Sequence, residues 1–212
     1  SPIKAAWCVI RIPLTICRFI LHNIASCTDS EYNVNMTAQA QIAKGQKAMN
    51  NENKLKVVKF GGSSLADAEH FMQVASIIGE DDSRKYVIPS APGKRSPDDI
   101  KVTDMLYHCY AVADEGGDFS GEFSQIEDRF NEIVRDLGLS IDLSEKFEEI
   151  RNAFKFHAGS DYAASRGEYL NGKILAAYLG FDFIDAADVI FFREDGTFDS
   201  EKTNTVLGDA LK

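Results

Sequence analysis

One junction constrains this chain more than any other. The apolar run Leu55-Lys-Val-Val-Lys59-Phe60 leads straight into Gly61-Gly62-Ser63-Ser64, and a helical repeat begins at Leu65. A short run with β-branched residues reads as a buried strand. Two glycines let the backbone turn tightly and approach a ligand closely. A helix after them supplies amide donors and a positive dipole end. Lys59, near the strand end, can place a cation at the same spot. The set suits a phosphate. It also fits a plain strand-to-helix turn with an exposed lysine. It is neither a Walker loop, whose lysine follows the glycines, nor the dinucleotide fingerprint GxGxxG.

The rest of the chain repeats the alternation. Leu65 to Gly79 has one broad apolar face (Leu65, Phe71, Val74, Ala75, Ile78), with Gly79 as a C-cap. Tyr86-Val-Ile-Pro89 reads as a second strand, followed by the loop Ser90-Ala-Pro-Gly-Lys-Arg-Ser-Pro97. Helical spacing predicts Val102 to Asp114, Phe119 to Leu137, Leu143 to Phe156 (capped near Ser144) and Asp161 to Leu179. Phe181 to Ile184 and Val189 to Phe192 read as short strands, Asp195-Gly196 as a turn, and Thr205 to Leu211 as the beginning of a helix. Such a pattern predicts an α/β domain with a mainly parallel sheet. Ligands bind at the carboxyl ends of such strands, so Gly61–Ser64, Ser90–Arg95 and Arg193–Asp195 should converge on one edge.

Two further stretches carry candidate chemistry. Ser165-Arg-Gly-Glu168-Tyr-Leu-Asn-Gly172 should be helical although it contains Gly167 and Gly172, each costing about 1 kcal/mol against alanine. A helix tolerates this where a backbone or a ligand passes close by. Arg166 and Glu168 lie off the apolar stripe, as a solvated pair or as binding groups. Arg193-Glu-Asp195 follows a predicted strand. An arginine there can clamp a carboxylate in a bidentate way, and a nearby acid can take an ammonium group. A polar turn is the plainer alternative.

The first 48 residues differ from the remainder. They hold five Lys/Arg and two acids, a net of +3, within a chain of 212 residues and net charge −10. Three of the four cysteines lie there: Cys8, Cys17 and Cys27. Residues 5–24 are apolar but broken by Arg11, Pro13 and Arg18, which suits neither a secretory signal nor a membrane span. Residues 28–54 read as a polar linker. The expectation is a disordered leader or linker over residues 1–48, or translated sequence upstream of a start at Met49 or Met36, and a domain over 49–212. The acidic balance argues against nucleic acid as a partner. No cysteine or histidine spacing suggests a metal site or a disulfide framework. Cys109 reads as a buried thiol and the body as cytoplasmic.

Taken jointly, the motifs resemble the aspartate kinase family of the amino-acid kinase fold. Lys59-Phe-Gly-Gly-Ser-Ser64 resembles its opening signature. Ile88-Pro-Ser-Ala-Pro-Gly-Lys-Arg95 with Lys101-Val-Thr-Asp-Met-Leu106 resembles its serine and threonine segments. The helix Ser165 to Gly180 is the most specific match, and the resemblance covers roughly residues 55–212. It implies a three-layer α/β/α sandwich, cut short at its C-terminus. It implies ATP with Mg²⁺ as cofactor, L-aspartate as substrate and 4-phospho-L-aspartate as product, at the entry to lysine, threonine and methionine synthesis. Residue by residue, Lys59 matches the catalytic lysine and Gly61, Gly62 and Ser63 the loop around the phosphates. Ser90 and Thr103 match hydrogen-bonding residues of the substrate site. Glu168 matches the group that holds the ammonium, and Arg193 the group that holds the α-carboxylate. Asp195 stands where the family often reads Arg-Thr-Asn, and Arg166 where many members have histidine. The family's second half supplies most ATP contacts, and its regulatory domains carry homo-oligomerisation. Residues 1–212 alone are therefore expected to be inactive. Another amino-acid kinase, or a non-catalytic remnant that binds a partner, would share the same motifs.

Overall fold

The computed structural model describes residues 8–10 and 55–211. Four strands form one parallel sheet in the order β2-β3-β1-β4: β1 Cys8–Ile10, β2 Lys56–Phe60, β3 Arg84–Pro89 and β4 Asp182–Ile184. β2 and β3 pair from Lys56 opposite Arg84 to Phe60 opposite Pro89. Between β3 and β4 lies β1, with Val9 opposite both Val87 and Phe183.

That strand corrects one expectation. Cys8–Ile10 falls inside the predicted leader, yet Cys8 and Val9 pair on both sides and Ile10 pairs with β4. β3 and β4 each present a row of backbone donors and acceptors, and a short extended segment between them satisfies both rows. The remaining residues of the predicted leader lie outside the described residues.

Helices cover both faces of the sheet. α1 Ala68–Gly79, α2 Val102–Asp114, α3 Ser120–Asp136, α4 Ser144–Lys155 and α5 Ser160–Leu179 carry the larger core. α6 Ala186–Val189, a single turn, and α7 Ser200–Ala210 carry a smaller core. β3 divides its side chains between the two cores: Val87 joins the first and Ile88 the second, as the period of two requires. A cluster of rings (Phe119, Phe123, Phe147, Phe154) seals α3 against α4 at centroid distances of 5.9–6.5 Å. Cys109 lies in this core, and burial pushes its thiol up to about 11, which makes it a poor nucleophile at neutral pH. Among the described residues no helix is long and apolar enough to cross a membrane.

Several boundaries depart from the spacing. The helix expected from Thr205 begins at Ser200, where the Asp199 carboxylate accepts the Lys202 amide at 3.0 Å. The helix expected from Leu65 begins at Ala68, because Asp67 takes an extended backbone and its carboxylate accepts the His70 amide at 3.1 Å. α4 starts at Ser144 behind Leu143, which makes no side-chain cap bond, and the Asp142 carboxylate accepts the Ser144 amide at 2.9 Å. Val189–Phe192 is no strand of the sheet: Val189 ends α6, and Phe192 makes one antiparallel bridge with Phe198.

A candidate phosphate and amino-acid site

β2 delivers Lys59, half-buried, to the end of the sheet where the glycine loop starts. Gly61 is extended, and a Cβ added there would meet open space. Gly62–Leu65 then forms a 3-10 turn anchored by the fully buried Leu65. The N-terminus of α1 is therefore set back by Asp67 and already occupied by that carboxylate. An anion at this loop would meet the backbone of the loop itself rather than the end of a long helix.

The serine loop leaves β3 beside it. The Ser90 amide donates to Phe60 O at 3.0 Å, and the Gly93 amide donates to Gly62 O at 2.8 Å. The two loops touch backbone to backbone. A Cβ on Gly93 would lie 2.5 Å from the Gly62 carbonyl carbon, and one on Gly62 would lie 2.7 Å from Ala91 O. The Val102 amide donates to Pro92 O at 3.2 Å, which ties the loop to the start of α2. Thr103 sits half-buried in the first turn of α2.

α5 closes the other side. The two glycines within it lie where other elements press against it. A Cβ on Gly167 would sit 2.6 Å from the Ala91 Cβ, and one on Gly172 would sit 2.9 Å from the Phe183 ring. Glu168 follows the Gly167 contact directly. It is half-buried and makes no hydrogen bond or ion pair among the described residues. Arg166 is not simply solvated: its guanidinium stacks 4.3 Å from the Tyr162 centroid and 4.8 Å from that of Tyr169.

Arg193 and Asp195 are placed differently. They stand on an exposed turn closed by the Arg193 amide donating to Thr197 O at 2.8 Å and the Gly196 amide donating to Arg193 O at 2.9 Å. The Asp195 carboxylate accepts from the Thr197 amide and hydroxyl, at 2.9 and 2.6 Å. These hydrogen bonds hold its carboxyl below the usual range. No hydrogen bond or ion pair of either side chain reaches the glycine or serine loops among the described residues.

Residues 54–209 match the model of the amino acid kinase family. The chain belongs to the amino acid kinase family. Among solved structures, this amino acid kinase chain is similar to the aspartate kinase of Clostridium acetobutylicum, with 49% identity and a TM-score of 0.72. That match covers 74% of this chain and 36% of the other. Aspartokinase III of E. coli, solved in complex with aspartate and ADP, shares the fold at 18% identity and a TM-score of 0.58, over 74% of this chain and 38% of that one. Aspartokinase 3 of Bacillus subtilis (strain 168) is 34% identical over 140 residues, which is 62% of this chain and 30% of the relative. A bifunctional aspartokinase/homoserine dehydrogenase of Arabidopsis thaliana is 27% identical over 175 residues, 74% of this chain and 18% of the relative. The chain thus spans less than a third of the length of either curated relative.

Two residues that hold the loops of this candidate site escaped the sequence reading. Asn171 is fully buried on α5. Its side-chain amide donates to Ser90 O at 2.7 Å, and its own oxygen has no partner among the described residues. Its signal was a polar residue between Leu170 and Ile174 on the apolar stripe. Arg129 on α3 is 4% exposed and bonds to the serine loop from below. A lone arginine on an amphipathic helix carries no such signal.

Proposed function

We propose that this chain carries part of the active site of an aspartate kinase, which moves the γ-phosphoryl group of ATP onto the side-chain carboxylate of L-aspartate. The observation that carries this reading is the double contact of the serine loop. Gly93 meets the glycine loop at Gly62, and Ala91 meets α5 at Gly167. The glycine loop and the half-buried Glu168, which makes no hydrogen bond or ion pair among the described residues, thereby approach one end of the sheet. The 49% identity to the Clostridium enzyme supports aspartate as the acceptor. So does the pair of ligands, aspartate and ADP, named for the E. coli protein.

The aspartate side-chain oxygen attacks the γ-phosphorus. A new P–O bond forms, the bond to the β,γ-bridging oxygen breaks, and ADP leaves with the electron pair. The nucleophile is ionised at neutral pH, so no general base is required. Lys59 sets a positive charge beside the transferring group, and the backbone of Gly61, Gly62 and Ser63 surrounds the phosphates. Ser90 and Thr103 hydrogen-bond in the acceptor site. Glu168 takes the ammonium, Arg193 the α-carboxylate, and Asp195 assists from the same turn. Mg²⁺ would arrive on the triphosphate. Among the described residues no three His, Cys, Asp or Glu side chains converge as a metal cage, and phosphate oxygens suit this ion. The reaction would serve lysine, threonine and methionine synthesis in the cytoplasm, within a homo-oligomer.

The test is ADP release by the full protein that contains this chain, with aspartate, glutamate and UMP offered in turn. Aspartate alone should support turnover. Turnover with glutamate or UMP but not aspartate would move the protein to another branch of the family. Glu168→Gln should raise the KM for aspartate roughly 10- to 100-fold, as for loss of a charged hydrogen-bond partner.

A further inference from the structure

Arg129 belongs to none of the motifs, yet its side chain is only 3% exposed. Its Nη1 donates to Ile100 O at 2.7 Å, and its Nη2 donates to Gly93 O and faces the Asp99 carboxylate at 3.1 Å. One planar fork on α3 thus grips both ends of the Gly93–Ile100 segment. Asp99 is in turn held by the Arg95 amide at 2.9 Å and the Arg95 Nε at 3.0 Å. Gly93 is the shared piece. Its carbonyl is bound by Arg129 on one side, and its amide binds Gly62 O on the other.

The packing leaves no slack between these bonds. Gly93 lies too close to Gly62 to admit a methyl group, and Ala91 is wedged against Gly167. A shift of Gly93 is therefore passed to Gly62, the residue that shapes the glycine loop. An arginine is an expensive way to fill a core, because a buried charge needs compensation from every side. Packing alone would be served by a leucine. Arg129 is instead spent on two carbonyls and one carboxylate of a single loop.

We propose that Arg129 is a positioning residue for phosphoryl transfer: through Gly93 it fixes the backbone of Gly62–Ser64 in the geometry that receives the phosphates. The proposal rests on the kinase reading above, and its test separates the two. In the full protein, Arg129→Met and Asp99→Asn are compared with the parent by amide hydrogen exchange and by kinetics. Exchange at Gly93, whose amide donates to Gly62 O, and at Ser64, whose amide donates to Gly61 O, should quicken about tenfold or more in Arg129→Met, with exchange across Phe123–Val134 unchanged. In the same variant kcat should fall about 10- to 100-fold, with the KM for aspartate held within about twofold, as for a reacting group displaced by a fraction of an ångström. Asp99→Asn should move both readings in the same direction by less, since the carbonyl contacts stay.

Parental exchange at Gly93 and Ser64 in Arg129→Met would overturn the proposal. So would equal quickening throughout α3, which would make Arg129 a stability residue only. Should Arg129→Met fail to fold, Asp99→Asn decides, and parental exchange and kcat in that variant overturn the clamp. A parent that cannot phosphorylate aspartate would sink the kinase reading, while the exchange measurement would still decide the clamp.

Discussion

Gly62 and Gly93 meet backbone to backbone in the interior, whereas Arg193 and Asp195 stand on a turn whose side chains face solvent. Both regions belong to the proposed site, and they are built by opposite means. The first is over-determined: a hydrogen bond, two glycine contacts, a buried asparagine and a buried arginine fix the same few residues. The second is held by bonds within the turn itself. The difference suits their tasks. Transfer of a phosphoryl group rewards placement to a fraction of an ångström, while capture of a carboxylate by a long cation tolerates movement and gains from reach.

The largest expected effect lies where the packing is tightest. Gly93→Ala puts a methyl 2.5 Å from backbone that cannot rotate away. It should cost about 1–3 kcal/mol in denaturant unfolding, as overpacking does, and about 100-fold in kcat. Its control is Gly61→Ala, where the added methyl meets open space, so the unfolding free energy should stay within about 0.5 kcal/mol. Equal stability for the two variants would break the distinction drawn here. Next comes Gly167→Ala. Alanine gains about 1 kcal/mol in helix propensity, but its methyl would lie 2.6 Å from that of Ala91. The clash should win by about 1 kcal/mol. Ala91→Gly should then restore stability in the double variant, with a coupling of about 1 kcal/mol measured as a double-mutant cycle.

Much of this was legible beforehand, and the gaps have physical causes. α2 to α5 announced themselves through long apolar stripes, because a period of 3.6 over a dozen residues is hard to mimic. Gly167 and Gly172 were read as sites of close approach, and Ala91 and Phe183 are what approaches them. Val189–Phe192 misled because four apolar residues carry no period, and a helical turn with one bridge fits them equally well. Cys8–Ile10 was hidden for a related reason. A three-residue strand shows its partners only when the chain is folded, and both partners here are more than 70 residues away in sequence. Lys59, Gly62, Ser90 and Glu168 were proposed from type and order. Arg129 was not, since nothing in a helix marks which arginine will be covered by a loop.

The tight region should also report on acid. Burial pushes the Asp99 carboxyl up, but the Arg95 hydrogen bonds and the Arg129 charge outweigh it and hold the group well below the usual range. A carboxylate depressed in the folded state stabilises the protein at pH values above its unfolded pKa, about 3.9. That contribution is lost as pH falls below about 4 toward the folded value. Asp99→Asn should therefore be less stable than the parent at pH 7, and the gap should begin to narrow only below about pH 4 and go on narrowing toward the folded value. A gap that stays constant over this range would mean that the Asp99 charge contributes nothing.

The smallest expected change in stability is at the loose region, where it is also most informative. The Arg193 side chain is exposed and makes no hydrogen bond or ion pair among the described residues. Arg193→Ala should leave thermal and denaturant unfolding within about 0.5 kcal/mol of the parent. If the turn supplies the carboxylate clamp, the same variant should raise the KM for aspartate by roughly tenfold or more, the cost of one charged hydrogen-bond partner. A structural residue would move the first reading and a binding residue the second, so the pair separates them. A silent result in both would leave Glu168 and Asp195 as the charged groups of the proposed amino-acid clamp. Recognition of the α-carboxylate would then have to come from a donor other than Arg193.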